Sequence, residues 1–272
     1  MKYYVVSDVH GYFSILKKVL EEKGFFNDTE PHKLIICGDA FDRGTEAVEM
    51  ERFMHDLYKK DELIYIKGNH ESLYQELVDN FEDEVWKCMT RMSHHYSNGT
   101  YDTAIQLARF NNMTSDKRYL SEALTYATDI RKKLQTGILY KKLMPAMVDY
   151  FETEHYIFVH GWIPCVYDDM PVWYQKGRRI KYDENWRTTD AKYWEIARWM
   201  NGIDMAMKYK MIEDKTIICG HWHASYGHMR YHHTCSEFGE DAIFEPFEDK
   251  GIIAIDACTA HTGKINCLVI ED

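Results

Sequence analysis

Short, almost wholly apolar runs alternate with helix-period stretches over the first seventy residues. Tyr3 to Val6 is a β-rich run that ends at Ser7-Asp8. Phe13, Ile15, Leu16, Val19 and Leu20 then recur at helical spacing, with Gly24 as the stop. Leu34 to Cys37 predicts a second buried strand, ending at Gly38-Asp39. A helix through Val48, Met50, Phe53, Met54 and Leu57 leads to a third, Leu63 to Ile66, ending at Gly68-Asn69-His70. Continuous apolar strands alternating with helices predict an α/β protein whose sheet is covered on both faces. In such sheets ligands sit beyond the carboxyl ends of the strands, which is where these polar clusters fall.

From Ser72 to about Glu154 the pattern changes to helix formers with few strand-like runs. Leu73, Leu77, Phe81, Val85 and Trp86 share a helical period, as do Ala104, Leu107 and Ala108, and later Leu120, Leu124 and Ala127. This predicts a helical insertion, a cap-like subdomain over 72–154 within one domain of residues 1–272, interrupted near Ser97-Asn98-Gly99 and Asn111-Asn112. Strand-like runs resume at Tyr156 to Val159 and Thr216 to Cys219. Ile252 to Ile255 and Ile265 to Ile270, separated by Thr262-Gly263-Lys264, read as a hairpin.

Composition narrows the functional classes. With 272 residues, 45% hydrophobic and 28% charged, the chain can bury a core of its own. A net charge of −11 argues against a broad nucleic-acid surface. Seven scattered cysteines form no C-x-x-C pair and suggest a reducing compartment. The N-terminal run is too short for a signal peptide, and no stretch reaches the roughly 18–20 apolar residues of a membrane span, so the cytoplasm is expected. The sequons at Asn27, Asn98 and Asn112 then carry no weight.

The candidate chemistry lies in five clusters, each after an apolar strand. They are Asp8-Val9-His10-Gly11, Gly38-Asp39-Ala40-Phe41-Asp42-Arg43-Gly44, Gly68-Asn69-His70-Glu71, His160-Gly161, and Gly220-His221-Trp222-His223. Asp, Asn and His together form a mixed oxygen and nitrogen donor set, suited to Mn, Fe, Zn or Co. At an extended strand end, residues i and i+2 point the same way, so Asp8 and His10 can share one ion. Any one cluster occurs by chance in many proteins; five in order at one sheet edge do not.

The order D-x-H-G, G-D-x-x-D-R-G, G-N-H-E, H-G, G-H resembles the calcineurin-like metallophosphoesterases. Its D-R-G and G-N-H-E forms resemble their phosphoprotein phosphatase branch of serine/threonine phosphatases and diadenosine tetraphosphatases. The resemblance covers residues 1–71 and about 156–272. It implies a layered β-sandwich flanked by helices (α/β/β/α) and two divalent ions, manganese first, with iron or zinc also compatible. Asp8 and His10 would hold one ion, Asp39 would bridge both, and Asn69, His160 and His221 would complete the other. Ions about 3.5–4 Å apart share a hydroxide for in-line attack. His70 would act as general acid, oriented by Asp42, with Arg43 and Asn69 on the phosphate. His223 would be either a further ligand or a residue acting from outside the ligand set. A second phosphate-binding arginine is sought among Arg178, Arg179, Arg187 and Arg198, and the W-x-R-like segment around Trp194 favours Arg198. In the insertion, Asn98-Gly99 through Thr103 resembles an N-G-G-x-x-T stretch of the family.

His94-His95 and His232-His233 lack spaced Cys or Asp partners and read as solvated loop histidines. Trp162, Trp173, Tyr174, Trp186, Trp194 and Trp199 read mainly as core, with one or two rings for the cleft. The functions expected are a serine/threonine-type phosphomonoesterase, then a dinucleoside polyphosphate hydrolase or phosphodiesterase. Partners would be phosphoproteins or small phosphoester or nucleotide substrates. A non-catalytic interaction module on the same fold would be expected to lack a ligand or the acid, and none is missing.

Overall fold

The computed structural model of this chain describes residues 1–89, 93–110, 117–167 and 180–272. Two sheets face each other. The first is built from β1 (Lys2–Val6), β2 (His32–Cys37) and β3 (Leu63–Ile66), all parallel, with the C-terminal strand Leu268–Glu271 antiparallel to β1. After β3 come Phe151–Glu152 (β4), Tyr156–Phe158 (β5), Cys165–Tyr167 (β6), Ile180–Tyr182 (β7), Thr216–Cys219 (β8), Phe247–Asp249 (β9) and Ile252–Ala254 (β10), which makes the C-terminal strand β11. The second sheet runs β4-β5-β8-β10-β9, with β5, β8 and β10 parallel; β6 and β7 form a separate ribbon.

Strand periodicity explains the layering. Tyr3, Val5, Ile35, Cys37 and Ile66 from the first sheet meet Phe158, Ile218 and Ile255 from the second in one buried cluster between the sheets. Their alternate neighbours Tyr4, Val6, Leu34 and Ile36 face outward into a cluster with the helices. The second sheet does likewise: Ile157, Val159, Ile217 and Cys219 pack with Trp162, Trp186, Trp194 and Ile203. The result is the expected α/β/β/α sandwich. Each fully buried side chain of this kind contributes roughly 1.5–3 kcal/mol.

The helices α1 (Phe13–Glu22) and α2 (Ala47–Lys59) cover the first sheet. Between β3 and β4 the described residues are helical: α3 (Asn69–Asp79), α4 (Phe81–Met89), α5 (His94–Ser97), α6 (Thr100–Ala108), α7 (Lys117–Thr125) and α8 (Ala127–Thr136), then short turns. Tyr101, Ala104, Leu120, Ile130 and Leu134 share one buried cluster with Leu16, Leu34 and Met50. The helical segment therefore continues the core of the first sheet. The break expected at Asn111-Asn112 lies outside the described residues.

The C-terminal hairpin does not form. β10 pairs with β8 and β9, whereas β11 pairs with β1, and a short helix Thr259–Thr262 turns the chain between the sheets. Asn266 closes that crossover by donating from Nδ2 to the carbonyls of Phe244 and Ile255. Local turn residues suggested a hairpin, but the inter-sheet core claims one strand for each side.

Candidate metal centre

The site lies in the loops that leave the carboxyl ends of β1, β2, β3, β5 and β8. The parallel ladder outlasts the strands: Asp8, His10 and Gly11 donate from their backbone N–H groups to the carbonyls of Gly38, Asp39 and Ala40, at 2.8–3.2 Å. The strand itself stops earlier. Among the described residues, eleven non-glycine residues have positive φ, and six are Asp8, His10, Asp39, Asp42, Arg43 and His221. Left-handed backbone in L residues costs free energy and concentrates where side chains must be aimed. Asp8 and His10 are therefore directed by a tight turn, and the extended strand end expected from their spacing is not what orients them.

Two groups of donors converge on one carboxylate. His10, Asp39 and His70 place ligand atoms within 4.8 Å of one another, and so do Asp39, His160 and His221. Asp39 alone belongs to both. His160 Nε2 lies 3.3 Å from Asp39 Oδ1 and 2.8 Å from Asn69 Oδ1. Asp8 is not in either group; its Oδ2 accepts from the backbone N–H of His221 at 2.9 Å. A Cβ on Gly220 would come within 2.1 Å of that oxygen, so the approach requires glycine.

These residues fit divalent ions on three counts. His160 Nδ1 faces the Cys37 carbonyl at 2.8 Å and His10 Nδ1 faces that of Phe41 at 3.1 Å, so each carries its proton there. Each Nε2 is then left with a lone pair, the arrangement usual for a metal-ligating imidazole. His221 is likewise hydrogen-bonded to the Trp199 backbone. Secondly, burial pushes His10 well below its ordinary value and His221 down to about 3, so both imidazoles are neutral. Thirdly, three carboxylates crowd the floor. Burial, then the charges of Asp256 and Asp39, pushes Asp8 well above the carboxylate range; burial also raises Asp256. Burial alone would raise Asp39 too, but the charge of the surrounding histidines, His160 and then His70 foremost, holds it low. Buried acids so close to neutral nitrogens call for cationic charge.

Beside this centre stands a proton-handling pair. His70 Nδ1 and Asp42 Oδ2 are 2.8 Å apart, and His70 Nε2 faces Arg43 Nη2 at 3.4 Å and Asp39 Oδ2 at 3.8 Å. Burial opposes the charge on His70, yet Asp39 and Asp42 outweigh it and raise its pKa. Helix α6 fixes the pair: Thr100 Oγ1 donates to Asp42 Oδ2 at 2.7 Å, and Thr103 Oγ1 accepts from the Asp42 N–H at 3.0 Å. Gly99, at φ +79°, abuts Arg43 so closely that a Cβ would meet its nitrogen at 2.5 Å. Gln106 bonds both the Gly44 carbonyl and the Ala47 N–H.

Several sequence candidates sit elsewhere. His223 Nε2 lies 2.9 Å from Glu237 Oε1, and its ring packs on Phe238. Arg198 is buried and its guanidinium is engaged by Asp149 and Glu195. Arg187 pairs with Glu152 over the Trp186 ring. Arg178, Arg179, Trp173 and Tyr174 lie outside the described residues. Trp162, Trp186 and Trp194 are core, whereas Trp199 is half-exposed with its ring 5.9 Å from that of His221.

Sequence reasoning gave no role to Glu71 or Asp256. Glu71 is buried and accepts from the N–H groups of Asp39, Ala40 and Gly68 and from the Tyr65 hydroxyl, at 2.7–3.0 Å. It locks the β2 and β3 loops together. Its place in G-N-H-E was the available signal; Asp256 had none beyond following a strand.

The sequence model of the calcineurin-like phosphoesterases matches residues 1–263 of this chain. Over 87 residues the chain is 32% identical to the asymmetrical bis(5'-nucleosyl)-tetraphosphatase PrpE of Bacillus subtilis, covering 29% of this chain and 36% of that protein. Over 83 residues it is 30% identical to serine/threonine-protein phosphatase 2 of Escherichia coli, covering 30% and 35%. It thus spans about a third of the length of these relatives. Among solved structures, a cold-active protein-tyrosine phosphatase of a psychrophilic Shewanella aligns with all of this chain and 75% of its own, at 18% identity and a TM-score of 0.47.

Proposed function

The chain belongs to the calcineurin-like phosphoesterase family, and from that premise we propose that it is a metal-dependent phosphatase acting on phosphoserine and phosphothreonine in proteins. The observation that carries this reading is Asp39, the one carboxylate common to two converging donor groups, with His70, Asp42 and Arg43 beside it. Asp8, His10, Asp39, Asn69, His160 and His221 would hold two divalent ions, with manganese the first choice. Bound there, such a pair supplies positive charge for the phosphoryl oxygens and lowers the pKa of water. His223, engaged by Glu237, acts from outside that set.

The chain's own residues handle position and protons. Arg43 offers the planar fork that matches two phosphoryl oxygens. Asp42 holds His70 through Nδ1, which leaves Nε2–H to protonate the leaving alkoxide. No cysteine falls within the five sequence clusters that carry these groups. Among the described residues no helix is long and apolar enough to cross a membrane.

A second reading is cleavage of a dinucleoside polyphosphate, supported by the half-exposed Trp199 ring beside His221, on which a base could stack. The two are separated by comparing kcat/KM for a phosphopeptide panel and for diadenosine tetraphosphate, with manganese added. The phosphopeptides are expected to be preferred. A dinucleotide preference above tenfold, about 1.4 kcal/mol, overturns the protein-phosphatase assignment.

A further inference from the structure

We propose that Glu76, His94 and His95 form a separate divalent-cation site of the zinc class, which ties helix α3 to the corner between α5 and α6. This site is distinct from the catalytic centre and does not rest on the phosphatase reading.

The three side chains place ligand atoms within 4.8 Å of one another. His94 Nε2 lies 3.4 Å from Glu76 Oε2, and His95 Nε2 lies 4.0 Å from the same oxygen. Donors bound tetrahedrally at about 2.0–2.1 Å from an ion stand about 3.3 Å apart, so little movement is needed. Glu84 Oε2, 3.3 Å from His95 Nε2, is a fourth oxygen beside them. Two imidazoles with carboxylates select zinc-like ions over magnesium or calcium.

His95 is the independent sign that a ligand belongs here. Its side chain is 0% exposed, and among the described residues neither ring nitrogen makes a hydrogen bond. A buried imidazole with both nitrogens unsatisfied is costly, and a cation on Nε2 removes half of that cost. Burial also lowers the pKa of His95, so it meets a metal already neutral. The solvated-loop reading of this histidine pair therefore does not hold: both residues lie on α5, His95 is buried, and only the His94 side chain is half-exposed. Access is open: Glu76 and His94 line a groove with Lys67, Leu73 and Trp199.

The position gives such an ion leverage. Glu76 is on α3, whose first turn carries Asn69 and His70. His94 and His95 make up half of α5, which leads directly into Gly99 and Thr100 against Arg43 and Asp42. A cation bridging them would clamp together the two supports of the His70–Asp42 pair.

The test is zinc stoichiometry, measured by equilibrium dialysis and elemental analysis on the whole chain, for native protein and the Glu76→Gln, His94→Ala and His94→Cys variants. Both altered side chains are half-exposed, and a circular-dichroism melt checks that each variant is folded. The native chain is expected to hold one equivalent more than Glu76→Gln and His94→Ala, and His94→Cys, whose thiolate is a zinc ligand, is expected to regain it. Equal zinc in all four proteins, or no recovery in His94→Cys, overturns the site whether or not the catalytic centre binds metal.

Discussion

The two sheets contribute to the centre in different ways. The first delivers Asp8, His10, Asp39, Asp42, Arg43, Asn69 and His70 from three consecutive parallel strands; the second delivers His160 and His221. On the first side, side chains hold the loops in place: Glu71 spans two of them, while Thr100, Thr103 and Gln106 reach in from α6. On the second side main-chain bonds carry more of the hold, beside the Asp8 carboxylate that accepts from the His221 N–H. Gly220 donates to the His160 carbonyl at 2.8 Å, and the Cys37 carbonyl orients the His160 ring. Five of the six left-handed site residues also belong to the first sheet. Ligation alone needs donors at fixed points, which a backbone can set. Proton transfer and phosphate recognition also need aimed side chains, and those require further side chains to brace them.

If that division is right, removing a first-side side chain that handles protons or phosphate, outside the proposed ligand set, should damage chemistry while sparing metal. His70→Ala is expected to lower kcat on p-nitrophenyl phosphate about 10²–10⁴-fold with metal content unchanged, as loss of a general acid does. A variant that turns over like the native enzyme would remove His70 from the reaction. Thr100→Val keeps the shape but deletes the hydrogen bond to Asp42; a fall of about 10–100-fold in kcat, with little change in KM, is expected. An unchanged kcat would mean that α6 merely packs there.

The second side should show its own, smaller sensitivity. Arg187 holds Glu152 by hydrogen bonds and, despite the opposing effect of burial, lowers its pKa to about 2. A carboxylate depressed in the folded state stabilises above its unfolded value, near 4.5, and loses that contribution as pH falls toward 2. The pair is half-buried at the protein surface, where solvent screening still limits it to about 0.2–1 kcal/mol. Melting of native protein and Glu152→Gln should differ at pH 6 and converge toward pH 2. A gap that persists at low pH would assign the effect to packing.

What the sequence disclosed follows the same line. Each ligand cluster could be placed because β1, β2, β3, β5 and β8 are buried on both faces and read as unbroken apolar runs with a polar stop. The bracing could not. Thr100 and Asp42 are 58 residues apart, and no local pattern joins them except the faint likeness of Asn98–Thr103 to a family stretch. The left-handed turns at Asp8 and His10 were misread as strand ends because spacing does not carry φ. The hairpin misreading at 252–270 arose because turn residues report local geometry, while sheet membership is settled by which face finds a core. His95 looked like a surface residue because its burial depends on Glu84 and α4, packed from another part of the helical segment.

The central claim is that one carboxylate, Asp39, joins two metal positions. Electron paramagnetic resonance on the manganese-loaded chain tests it most directly. The native protein should show the multiline signal of an exchange-coupled manganese pair, and Asp39→Asn should lose that signal together with about 10⁴-fold in kcat, the several kcal/mol that such charge supplies. Only isolated six-line manganese signals in the native protein, or a coupled signal that survives Asp39→Asn, would contradict it.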